Sequence, residues 1–216
     1  MEKNRANEKL NCERDWVAYY DAVSDRPPRK TLLTALNNFD TDGSGVDFPK
    51  KTLKKALDLG CGCGRDTVAL LQRGWYVQAI DAEAEGLIRL LQRTDIDLTR
   101  LSIQVTPFEA FQFPENLDLI NASFSLPFCH PQYFGQFWQK LLNSLRPGGR
   151  FCGHFFGNRD SWSTKSYLNC YTQQQIEEFL QPLAIELFEE EEHLGKTPLG
   201  EERYWHIFHI VARKPN

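Results

Sequence analysis

The hydrophobic pattern of this chain changes period along its length. Around Trp16, Tyr19 and Tyr20, aromatic and charged residues alternate at helical spacing. Pro27-Pro28 interrupts that stretch, and a second helical segment runs from Lys30 to Phe39. The segment DTDGSGVDFP, 40–49, reads as a turn-rich linker. From Lys55 onward, short apolar runs alternate with helical repeats. ALDL (56–59), YVQAID (76–81), LSIQV (101–105), LDLINA (117–122) and RFCGHFF (150–156) read as strands. Residues 65–73, 84–93, 132–145 and 172–180 read as helices, with Leu87, Leu90 and Leu91 on one face of the second. AIELFEE (184–190) and YWHIFHIVA (204–212) close the pattern with no helix between them. Strands alternating with helices of about ten residues predict crossover connections and a largely parallel sheet. The last two strands are expected as an antiparallel pair on one edge. This places a helical extension with a linker at residues 1–50 and the main domain at 51–216.

Composition narrows the class. With 216 residues, 41% hydrophobic and 25% charged, the chain is ordinary globular protein. It is long enough to bury a core without disulfide or metal staples. The formal charge of −4 offers no basic excess for a phosphate backbone, which argues against nucleic acid as the main partner. The longest uncharged stretch, 119–139, contains Asn121, Pro127, His130 and Pro131, so it would be costly in lipid. The first eleven residues are polar, with no apolar leader core. The six cysteines read as reduced thiols. A cytoplasmic protein is the expectation; composition leaves its oligomeric state open.

The strongest chemical signal is Asp58-Leu-Gly60-Cys61-Gly62-Cys63-Gly64, set between a predicted strand and a predicted helix. Glycines let a backbone approach a ligand closely, beside the N–H groups of a helix N-terminus. The next strand ends in Asp81, 21 residues after Gly60, where a carboxylate can accept from two ribose hydroxyls. The dinucleotide pattern G-x-G-x-x-G needs glycine at 65 or 67, and Arg65 and Thr67 stand there. That disfavours a nicotinamide dehydrogenase. A G-x-G-x-G loop preceded by a carboxylate suits a cofactor with a free amino group, which Asp58 can meet directly or through water.

On LDLGCGCGRDT (57–67), AID (79–81) and LRPGGRF (145–151), the sequence resembles the class I S-adenosylmethionine-dependent methyltransferases over about residues 55–213. GRD after the loop and NASFSLPF (121–128) make it look most like the small bacterial enzymes grouped with tellurite-resistance and small-molecule methyltransferases. The resemblance implies a doubly wound α/β fold, Rossmann-like, with a mostly parallel seven-stranded sheet and an antiparallel last strand. It implies S-adenosylmethionine as cofactor. Asp58, Gly60, Cys61, Gly62 and Gly64 would then hold its methionine portion, and Asp81 with Ala82 its ribose. Phe108 and Glu109 would flank its adenine, and Arg29 would pair with its carboxylate. Asn121, at the end of the fourth strand, either faces the cofactor or forms a turn.

Several further constellations weigh less. Trp16, Tyr19 and Tyr20 read as a lid over the site or as ordinary helix packing. Phe124, Phe128, Phe156 and Arg159 lie in segments that should open toward an acceptor, as do Phe155, Asp160 and Trp162. His130 is the weak candidate for a base, against the plainer reading of a loop histidine. His154, His206 and His209 fall within strands and read as packed or hydrogen-bonded. Glu189–Glu192 is most simply a solvated strand end, and otherwise faces a cationic substrate. DTDGSG resembles half of a calcium loop, but Lys51 stands where the bidentate Glu belongs. The C-x-C of Cys61 and Cys63 lacks a second cluster, so no metal is expected. Methyl transfer to a small-molecule acceptor is the leading expectation; a non-catalytic cofactor-binding protein on the same fold is the rival.

Overall fold

The computed structural model describes residues 15–43 and 53–216. Two helices come first, α1 (Trp16–Val23) and α2 (Lys30–Gly43). Then follow β1 (Lys55–Leu59), α3 (Arg65–Gln72), β2 (Tyr76–Asp81), α4 (Ala84–Leu91), β3 (Leu101–Val105) and β4 (Leu117–Ala122). The second half runs α5 (Pro131–Ser144), β5 (Leu145–Gly157), β6 (Cys170–Tyr171), α6 (Gln173–Leu180), β7 (Ala184–Lys196) and β8 (Glu202–Arg213). The strands form one sheet in the order β3-β2-β1-β4-β5-β8-β7, with β6 pairing the end of β5. β1 through β6 pair in parallel, and β8 runs antiparallel between β5 and β7.

Alternation along the strands sends side chains to two cores. Leu57, Leu59, Ile120 and Phe151 join the core under α5 and α6. Ala56, Val77, Leu119 and Val211 join the other, under α2, α3 and α4. Leu32, Ala35, Leu36 and Phe39, at helical spacing on α2, are buried there. On α4, Leu87 and Leu90 are buried, but Leu91 is exposed and Gly86 takes the inner place. α5 buries Phe134, Phe137, Trp138 and Leu141 as its period predicts. α6 opens on a capping box between Thr172 and Gln175.

Three expectations change. The linker predicted from residue 40 begins later, because α2 runs on to Gly43. Asp42 accepts from Nη2 of Arg150 at 2.6 Å, which draws the last turn of α2 onto β5. Asp40 and Asp42 of the calcium-like segment are therefore helical, and residues 44–52 lie outside the described residues. The seven expected strands gain an eighth, β6, whose two residues are too few to show a period. β7 extends well beyond its predicted end, since ladder pairing with β8 continues through the polar positions Glu191, Glu192 and Lys196. As the edge strand, β7 presents these charges outward, which discourages pairing with another chain.

Candidate active site

The sheet reverses direction of growth at β1 and β4, and ligands of open α/β sheets bind beyond the strand ends at such a point. Asp58 of β1 and Asn121 of β4 are register partners there. The loop after β1 needs its glycines for space as well as backbone freedom. Gly60 has φ +68°, and a Cβ there would stand 2.4 Å from Cβ of Ser125. Gly64 caps α3 at φ +86°, and its Cβ would meet Leu90 at 2.4 Å. Gly86 lets the start of α4 approach the loop, where a Cβ would lie 2.7 Å from the Gly62 backbone. Asp81 pins the loop from β2, accepting from Gly62 N at 2.8 Å and from Glu83 N at 2.9 Å.

Behind the loop two buried carboxylates share one amide. Asn121 Nδ2 donates to Asp58 Oδ1 at 2.8 Å and to Asp66 Oδ2 at 3.1 Å. Thr67 donates to the other oxygen of Asp58 at 2.5 Å, and Arg29 N donates to Asp66 at 2.9 Å. Burial, then the neighbouring Asp66 charge, pushes the Asp58 carboxyl up to about 7. A raised acid binds its proton more tightly folded than unfolded. Its contribution to stability is full below the unfolded value and is lost as pH rises through the folded one. The melting temperature of the ligand-free protein is therefore expected to fall between about pH 4 and pH 7, the interval from 3.8 to about 7. Asp58→Asn flattens that slope; an unchanged slope in thermal scans would refute the assignment.

α1 lies across the cleft. Trp16 stacks on Tyr20 at 6.1 Å, and Tyr20 sits against Gly62, whose Cβ would be 3.2 Å from its ring. Burial and the nearby Asp81 push the Tyr20 hydroxyl pKa well up. Between α1 and the loop remains a cavity of about 70 Å³, bounded by Tyr19, Tyr20, Asp58, Gly62, Arg65 and Ser123. Pockets for drug-sized ligands span roughly 300–1,000 Å³, so α1 must shift for a nucleoside to enter. Two arginines stand at the end of this cleft. The Arg29 guanidinium lies 4.2 Å from the Phe124 ring centre, and burial, then Arg65, lowers its pKa to about 10. Arg65 donates through Nε to Pro27 O, and its buried Nη1 has no partner. Both arginines also border a second cavity of about 550 Å³ with Phe124, His154, Glu189 and His209.

The structure gathers some expected residues and gives others different work. Asp58, Gly60, Cys61, Gly62, Gly64, Asp81 and Asn121 meet at the loop, with Arg29 beside them. Ala82 follows Asp81 and donates its backbone N–H toward that carboxylate. Phe108 packs on Phe137 at 5.1 Å, near Gly60. Glu109 is occupied with His130 N at 2.7 Å. His130 caps α5, its Nδ1 accepting from Gln132 N at 3.2 Å, so its ring serves the helix start. Phe128 packs on Trp16 and Trp162, and Phe156 is buried under Arg203. Arg159, expected at the acceptor, is bound by Glu190 at 2.5 Å and by Glu192. Among the described residues Glu190, Glu192 and His206 alone are spaced like metal ligands, and the Arg159 guanidinium bonds all three. Asp66, Thr67, Arg65 and Gly86 were not singled out as site residues. The GRD triplet was the available signal for the first and third, and nothing local marks Gly86.

Residues 56–149 match the family model described as a methyltransferase domain. Over that stretch the chain is similar to methyltransferase domains. Solved structures share its fold at low identity. TehB from Haemophilus influenzae is 17% identical with a TM-score of 0.64 over 76% of this chain. The alignment spans 58% of the TehB chain. The 1,6-didemethyltoxoflavin-N1-methyltransferase of Burkholderia thailandensis, solved with bound 1,6-didemethyltoxoflavin and S-adenosylhomocysteine, is 19% identical with a TM-score of 0.65. That match covers 100% of this chain and 90% of the other. The N-methyltransferase NodS from Bradyrhizobium japonicum is 16% identical with a TM-score of 0.63, over 86% and 93% of the two chains. The donor set of this cleft fits S-adenosylmethionine, the cofactor that the sequence resemblance implies. A glycine cradle that no Cβ could enter, a strand-end carboxylate and a buried guanidinium nitrogen without a partner converge on one cleft. No described helix is long and apolar enough to cross a membrane.

Proposed function

We propose that this protein transfers a methyl group from S-adenosylmethionine to a small-molecule acceptor. The observation that carries the reading is the pair of adjoining cavities. One is bounded by the glycine loop, the other is about 550 Å³, and Arg29 and Arg65 border both. The larger has the volume of a small-ligand pocket. The cofactor supplies a methyl group already activated on a positively charged sulfur, so the chain's part is alignment, charge and exclusion of water. Asp81 offers its remaining acceptor positions to the ribose, and Asp58 faces the amino group. Arg29 and Arg65 balance the carboxylate. Residues 1–50 act in part as a lid through α1, and Trp16, Tyr19 and Tyr20 close over residues of the 51–216 domain. The small acceptor of the Burkholderia relative supports an acceptor of that size.

Calorimetry tests the cofactor. S-adenosylhomocysteine is expected to bind and NAD is not, because Arg65 and Thr67 replace the glycine a pyrophosphate loop requires. NAD binding as tight as S-adenosylhomocysteine binding would overturn the reading. Robust methylation of RNA, DNA or intact protein would overturn the acceptor class.

A further inference from the structure

The larger cavity contains a histidine that the fold itself does not use. His154 is 2% exposed, and its Nδ1 is buried without a hydrogen-bond partner. Leaving a buried polar atom unpaired is costly, so a position that retains one calls for a reason. The ring is held firmly. Phe124 stacks on it at 4.0 Å and 22°, and the Arg29 guanidinium lies 4.2 Å from the same Phe124 ring. Phe124 itself sits at φ +56°, strained backbone for a bulky residue. Across the sheet, His154 of β5 pairs in register with His209 of β8, which pairs with Glu189 of β7. The two histidine rings meet edge to face at 5.0 Å, and His209 Nε2 is 2.8 Å from Glu191. Burial first, then the neighbouring His209, Arg29 and Arg65, holds the His154 pKa well below its usual value. The ring is therefore neutral at pH 7, with a lone pair free on one nitrogen.

We propose that this cavity holds the methyl acceptor, and that Nδ1 of His154 accepts a hydrogen bond from the acceptor's N–H or O–H and takes its proton on methylation. The proposal rests on the methyltransferase reading and adds the chemical class of the acceptor: a compact amine, heteroaromatic N–H or hydroxyl compound. The acceptor's lone pair forms the new bond to the methyl carbon. The carbon–sulfur bond breaks with its electron pair left on sulfur, and the acceptor's proton passes to the imidazole. The edge of this cavity lies beside the glycine-loop cleft through Arg29 and Arg65, as transfer requires.

Calorimetry with S-adenosylhomocysteine comes first, since its failure would remove the methyltransferase reading itself. With that product bound, the ring nitrogens of His154 are followed by ¹⁵N NMR while phenol, then anisole, is added at millimolar concentration. Phenol is expected to move the Nδ1 resonance, and anisole, the same ring without the O–H, to leave it in place. No shift with phenol, or equal shifts with both, overturns the proposal. His154→Phe supplies the structural control. It keeps the stack on Phe124 and removes the unpaired nitrogen, so the melting temperature holds or rises, S-adenosylhomocysteine still binds, and phenol no longer does. A lower melting temperature would make His154 a structural residue and overturn the assignment.

Discussion

Asp81→Ala lowers the affinity for S-adenosylhomocysteine by about a hundredfold, equivalent to about 2.7 kcal/mol. In this structure one oxygen of Asp81 accepts from Gly62 N and the other from Glu83 N. A carboxylate has about four acceptor positions, and with the Ala82 N–H also directed at it, room remains for a ribose hydroxyl. Bonds to an ionised acceptor contribute roughly 1.5–3 kcal/mol each, which makes the effect large. From sequence alone the apo melting temperature should barely move, because the residue reads as a ligand contact. The structure changes that expectation. Alanine leaves the Gly62 and Glu83 N–H groups without acceptors beside the loop, so the apo protein also melts lower by several degrees. Asp81→Asn, which keeps one acceptor oxygen, falls between. Calorimetric affinity within twofold of the parent protein would remove Asp81 from the cofactor site.

Asp160→Ala lowers the melting temperature by roughly 10 °C, the largest stability effect expected at any single residue discussed. Asp160 and Arg203 form a bidentate pair at 2.9 and 2.8 Å, with both side chains essentially excluded from solvent. Asp160 also accepts from Trp162 N at 2.9 Å and His206 N at 3.1 Å. The guanidinium is packed over Trp162 at 3.6 Å, Trp205 at 3.8 Å and Phe156 at 4.3 Å. Removing the carboxylate takes the bidentate partner from a buried cation and the acceptor from two backbone donors, a loss of about 3–5 kcal/mol. Double replacement, Asp160→Ala with Arg203→Met, recovers much of that, because the buried charge is removed together with its partner. Thermal melting of the three variants checks this; a single-variant change under 2 °C would contradict the buried pairing. The residue was expected near the acceptor, and the pairing instead makes it the fixed base of the turn after β5.

The strand order through β5, the glycine loop and Asp81 were legible in sequence because each depends on near neighbours. Periodicity marks a strand, glycine marks a backbone that must bend or approach closely, and a carboxylate at a strand end points to the crevice. Those signals carried the fold class, and the cofactor followed from the family resemblance that the same residues bear. They say which face a residue takes, and nothing about what stands opposite it. Glu189–Glu192 read as a solvated strand end until β8 entered between β5 and β7 and placed His206, His209 and Arg159 beside it. Asp160 finds Arg203 43 residues away, and Arg150 finds Glu186 and Asp42, 36 and 108 residues away. His154 reads in sequence as a packed strand histidine. Only the register of three strands and the turn of Phe124 show its ring held rigid, with an unpaired nitrogen, at the wall of a cavity. Partners of buried polar groups are chosen by tertiary register, and the chain's local pattern carries no record of that choice.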